Sequence, residues 1–143
     1  MEHILQHLPY QEPFLFIDHL EEISDDGVTG TFTFDKDLYF YKGHFRDYPV
    51  TPGVILTECM AQIGLACLGV HLLRESSLKG AGIALTSTDV SFFHPVLPGE
   101  KVRVFSEKIY FRFNKLKCRT RMENAMGKLV CKGVLSGMIS RHE

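Results

Sequence analysis

A net charge of −1 on 143 residues, with 45% hydrophobic and 23% charged side chains, argues against a general nucleic-acid binder and fits an ordinary globular protein. The length suits one domain, residues 1–143, with a single core. Eleven Phe and five Tyr without Trp mean an aromatic core or an aromatic-lined pocket, and composition does not separate the two.

Residues 1–13 read as a short helical start broken by Pro9 and Pro13. The segment after Met1, EHILQHLPYQ, lacks the basic and apolar regions of a signal peptide, so the expected location is the cytoplasm. PFLFIDHLEEI is apolar and then mixed, and it leads into SDDG, a strong turn signal. VTGTFTFDKD alternates, with Val28, Gly30, Phe32 and Phe34 on one face, which predicts a hairpin around Asp26-Gly27. Residues 36–51 show no period and form a loop that carries His44.

Thr51-Pro52 predicts a helix start, with Thr51 as N-cap and Pro52 at the first helical position. The apolar run from Val54 to Leu73 should continue that helix to about Arg74, where ESSLKGAG ends it. The run is long enough to cross a membrane. Glu58, Gln62 and His71 inside it, and strand patterns on both sides, favour the core of a soluble domain with no membrane partner.

Strands fill the remainder: GIALTSTDVSFF, the connection HPVLPGE, KVRVFSEKIYFRF, a turn near Asn114-Lys115, LKCRTRMEN, the turn NAMG and KLVCKGVLSGMIS. In LKCRTRMEN the inward residues are Leu116, Cys118, Thr120 and Met122. A helix apolar on nearly every side needs apolar contact all round. The expected class is therefore α+β, an antiparallel sheet wrapped around one long central helix.

The four cysteines, Cys59, Cys67, Cys118 and Cys131, have no zinc-type spacing, so they read as buried free thiols and no metal site is expected. Cys59 adjoins Glu58, which leaves a catalytic thiol open beside the packing role. Glu58 is a carboxylate in an apolar helix, with Gln62 four residues on and on the same face. Such an acid must be paired, neutral or facing a cavity. It is a candidate site residue, against a Glu satisfied by backbone or a distant Arg. His44 taken alone is as easily a loop filler. The Gly53 amide, at the positive end of the helix, could polarise a carbonyl oxygen, or mark a plain Pro-Gly helix start. Leu65, Leu68 and the phenylalanines could line an acyl tunnel or simply be core. The row Lys115, Lys117, Arg119 and Arg121 could meet an acidic partner or be a solvated strand face.

LPYQEPFLFIDHL, GHFRDYPVTPGVILTECMAQ and HPVLPGE together resemble the β-hydroxyacyl-acyl-carrier-protein dehydratases of bacterial type II fatty-acid synthesis, over nearly the whole chain and in the same order. The resemblance implies the hotdog fold and dehydration of (3R)-hydroxyacyl thioesters to trans-2-enoyl thioesters, in fatty-acid or related polyene synthesis. It implies His44 as catalytic histidine, Glu58 as catalytic acid, Gly53 as the amide that binds the thioester carbonyl and Gln62 as the support of the acid. Glutamate at 58 resembles the broad dehydratase branch, since the isomerising branch usually has aspartate there. No cofactor or metal is implied. The implied partners are an acyl carrier protein bearing a hydroxyacyl-phosphopantetheine and a second hotdog subunit, as homodimer, higher homo-oligomer or heterodimer, with the site shared across the interface. Arg46-Asp47 stands where the family commonly has Pro-Gly, which bears on substrate preference. The alternatives are a hotdog acyl-thioesterase and a non-catalytic hotdog partner subunit.

Overall fold

The computed structural model describes residues 2–44, 47–74 and 81–141. In chain order these form α1 (Glu2–Gln6), β1 (His19–Ile23), β2 (Gly27–Thr33), a 3₁₀ turn (Tyr39–Lys42), the long helix α2 (Gly53–Leu72), β3 (Ala81–Phe92), β4 (Lys101–Arg112), β5 (Lys115–Asn124) and β6 (Leu129–Arg141). The strands make one antiparallel sheet in the order β1-β2-β4-β5-β6-β3. The α+β reading holds.

The sheet encloses α2 because its inward positions are apolar at every second residue. Leu116, Cys118, Thr120 and Met122 of β5 are all buried, as their alternation predicts, and so are Val28 and Phe32 of β2. Edge-to-face rings run from Phe16 to Phe32 to Phe34, so much of the aromatic content is core. Against them lie Leu56, Met60, Ile63 and Leu68 of α2, which is the central helix of a core and not a membrane span. Helix and sheet approach closely at Gly64, where an added Cβ would stand 2.9 Å from the Thr120 methyl and 3.0 Å from Ser106 Oγ. The Ser106 hydroxyl donates to the Gly64 carbonyl at 3.0 Å.

Two local expectations need correction. Helix α2 begins at Gly53, one residue later than predicted, with Pro52 in extended conformation as the N-cap. Thr51 does not cap it. Its side chain is buried and shares a hydrogen bond with the Tyr41 hydroxyl, and its amide donates to Val96 O at 2.9 Å. Thr51 thus ties the His44 loop to the HPVLPGE connection. The helix is also not uniform, since Gln62–Cys67 widens into a π-helical turn that no sequence period announces. Its regular part ends at Leu72, near the predicted stop, and the terminator 75–80 lies outside the described residues. The hairpins stand where predicted. The β4–β5 turn carries Phe113 and Asn114 at φ 52° and 62°, the left-handed pair that a two-residue hairpin turn requires.

Candidate active site

Glu58 projects from the second turn of α2 and is half-buried. The Gln62 side chain donates from Nε2 to Glu58 Oε2 at 3.0 Å, the i to i+4 contact expected of one helix face. Gln62 is itself wholly buried and fixed from two further directions: Nε2 donates to Phe14 O at 3.0 Å, and Oε1 accepts from the Phe16 amide at 2.8 Å. The amide is therefore oriented by the chain segment at 14–16 before it meets the acid. Burial raises the Glu58 carboxyl above its ordinary value of 4.5, and the Gln62 hydrogen bond only partly opposes that. The apolar helix thus favours the protonated acid.

Replacing Gln62 by Ala would strand the buried Phe16 amide. A loss of roughly 1–3 kcal/mol in unfolding free energy is expected, the penalty for one unsatisfied buried donor. Urea denaturation measures it, and an unchanged midpoint would show that Gln62 carries no such load.

His44 sits in the loop before α2, partly buried. Its Nδ1 lies 3.0 Å from Val50 O, and the Val50 amide donates back to His44 O at 2.8 Å. A carbonyl can only accept, so Nδ1 carries a proton and donates, which in the neutral ring puts the lone pair on Nε2. That tautomer is the one a general base acting through Nε2 needs.

Gly53 opens α2, and its amide has no acceptor within the helix. An added Cβ there would lie 3.2 Å from two carbons of the Phe92 ring, so glycine lets that ring close over the helix start. One turn on, the Thr57 hydroxyl donates to Gly53 O at 3.0 Å, leaving the amide as the free end.

Beside Glu58 lies a cavity of about 240 Å³ lined by Tyr10, Phe14, Leu65, Ile83 and Leu85, with two alanines of α2. Of the two leucines that could line a tunnel or simply be core, both are fully buried, and Leu65 alone is in the lining of this cavity among the described residues. His44 is not among the residues that line this cavity within the one chain. Tyr10 was missed, since nothing local relates residue 10 to residue 58.

The other candidates resolve more simply. Cys59 is wholly buried, burial pushes its thiol far up, and its Sγ donates to Phe16 O, so it is packing. The other three cysteines are buried and free as well. In the basic row, Arg119 pairs with Glu107 and Arg121 with Glu123, and Arg121 lies over the Phe105 ring at 3.9 Å, as a solvated strand face would have it. No metal-type cluster of His, Cys, Asp or Glu occurs among the described residues. Arg46 lies outside them.

The model of the FabA-like domain matches residues 8–134. The 3-hydroxyacyl-[acyl-carrier-protein] dehydratase FabZ of Clostridium perfringens is 35% identical over 127 residues, 88% of each chain. That of Lactococcus lactis subsp. cremoris is 32% identical over 139 residues, 96% of this chain and 93% of its own. Among solved structures, the dehydratase heterocomplex ApeI:P from Xenorhabdus doucetiae superposes with a TM-score of 0.80 at 16% identity, covering 96% of this chain and 91% of that one. A hypothetical thioesterase with coenzyme A from Streptococcus pneumoniae gives 0.63 at 14%, covering 87% of each. At such identities the two structures share the fold alone, whereas the sequence relatives and the matched model share the family. With 127 of its residues inside that model, this chain belongs to the FabA-like family of hotdog-fold dehydratases, on its FabZ-like side.

Proposed function

We propose that this protein removes water from (3R)-hydroxyacyl thioesters on acyl carrier protein, giving trans-2-enoyl thioesters in fatty-acid synthesis. The observation that carries the reading is the Glu58 carboxyl, held by Gln62 and favoured in its acid form, beside an apolar cavity.

The α-proton of the thioester is weakly acidic because the carbonyl delocalises the developing charge. The Gly53 amide stabilises that oxygen. His44 takes the proton through Nε2 as general base, with Nδ1 held on Val50 O. The Cβ–O bond breaks with its electron pair going to oxygen, and Glu58 gives that oxygen the proton that completes water. His44 is then protonated and Glu58 ionised, and a proton returned between them through solvent restores the enzyme. No cofactor is needed.

The working unit is a dimer. Strand β3 is a 12-residue edge strand, exposed along 84–89, with Leu85 and Phe92 open to solvent and Val54 exposed at the adjoining helix start. A long exposed edge, with unpaired backbone groups and two open apolar side chains, is ordinarily covered. A second copy paired along β3 would cover it symmetrically and bring the His44 loop of one protomer to the Glu58 cavity of its partner. A different hotdog subunit on the same edge would make the heterodimeric version. The expected location is the cytoplasm.

Mass spectrometry of a (3R)-hydroxyacyl carrier-protein thioester incubated with the enzyme tests the activity. Loss of about 18 Da, one water per elimination, is the expected result. Release of free acid would mean a thioesterase, and no change across several chain lengths would mean a non-catalytic partner.

A further inference from the structure

We propose that the Tyr10 hydroxyl binds the β-hydroxyl of the substrate opposite Glu58, and holds the same oxygen as it leaves as water. The inference rests on the dehydratase reading and extends it to a residue that the motif does not include.

Among the described residues, the cavity beside Glu58 has two polar side chains in its lining, Glu58 and Tyr10. The rest is apolar. Tyr10 follows α1 in an irregular stretch, half-buried, with its ring packed against the core. Its hydroxyl is hydrogen-bonded to none of the described residues, and Glu58 Oε2 is taken by Gln62. The two groups are near enough for the carboxylate charge to act on the phenol. Burial, and then that charge, push Tyr10 up to about 12, so it stays neutral wherever the enzyme works. A neutral phenol both donates and accepts. Both polar groups thus belong to the lining of one apolar cavity of about 240 Å³ without a hydrogen bond to each other, and an oxygen entering that cavity can meet both.

That oxygen has a defined need. The β-hydroxyl must accept a proton from Glu58 on one lone pair while its own O–H finds an acceptor, or its second lone pair a donor. In an apolar cavity an unmet hydroxyl loses the hydrogen bonds it had in water. Tyr10 Oη meets that need in either sense. Tyr10 transfers no proton. The Cβ–O electron pair goes to oxygen, the proton comes from Glu58, and the phenol keeps its hydrogen bond to the oxygen throughout. The enoyl product has no such oxygen. Tyr10 should therefore discriminate substrate from product, which a residue that merely packs cannot do.

The test measures binding in a background where turnover is strongly slowed, at times shorter than one turnover. In Glu58→Gln protein, the affinities of a (3R)-hydroxyacyl-pantetheine thioester and of the matching trans-2-enoyl thioester are compared with and without Tyr10→Phe. A neutral hydrogen bond predicts roughly 3- to 10-fold weaker binding of the hydroxyacyl ligand and an unchanged enoyl ligand. Equal affinity for both ligands in the two proteins overturns the proposal, and so does an equal loss for both. In the otherwise unaltered chain, Tyr10→Phe should lower kcat/KM for dehydration by a similar factor, and an unchanged kcat/KM overturns it as well. A wild-type protein that fails to dehydrate would instead sink the parent reading, so the two failures are distinguishable.

Discussion

Glu58→Gln is expected to lower kcat for dehydration by roughly 10²–10⁴-fold, the usual worth of a positioned general acid, while the fold becomes more stable at neutral pH. The two effects have one cause. Burial raises the folded-state pKa of Glu58 above its ordinary 4.5, so the folded protein prefers the protonated acid. Below 4.5 the acid is protonated in both folded and unfolded chains, and its burial is tolerated. As pH rises, the unfolded chain ionises first, and folding then has to keep a proton that the unfolded chain has released. The stability present at low pH is lost as pH climbs through the raised folded value. Glutamine is close in shape, stays neutral and still meets the Gln62 side chain, so it escapes that loss. The melting temperature of the variant should match wild type near pH 4 and exceed it increasingly above pH 4.5, reaching a plateau. A variant that kept its kcat would remove Glu58 from the chemistry. A wild-type melting temperature that did not fall relative to the variant over this range would remove the raised acid.

How much of this was legible beforehand depends on the range of each interaction. The pair Glu58 and Gln62 was readable because i to i+4 on a helix is a local rule. What makes Gln62 rigid was not, because Phe14 and Phe16 reach it from 48 and 46 residues away. The inward face of β5 followed from strict alternation, whereas the role of Thr51 was misjudged. A Thr before Pro-Gly satisfies the rules for an N-cap, and nothing nearby shows that Tyr41 and Val96 hold that residue instead. Tyr10 was invisible for the same reason: it is placed by the fold of the segment that Gln62 grips. The lone acid in the apolar run was the clearest signal, since an uncompensated carboxyl conflicts with its surroundings and has to be explained by function or by a partner.

His44 belongs to a different case, because within one protomer it does not line the cavity beside Glu58. In the proposed dimer each site takes His44 from one copy and Glu58 from the other, and a mixture of two dead enzymes should then regain activity. His44→Ala alone should lose roughly 10²–10⁴-fold in kcat, as the base is removed. Mixed with Glu58→Gln and allowed to dissociate and reassemble, half the dimers will contain one chain of each kind. In such a dimer one site receives both substitutions, and the other pairs an intact His44 with an intact Glu58 from opposite chains. Activity should return to about one quarter of the wild-type level, one working site in half of all dimers. Sites built within single chains would stay dead in every combination. The mixture therefore reads, from turnover alone, whether the exposed β3 edge is where the catalytic site is completed.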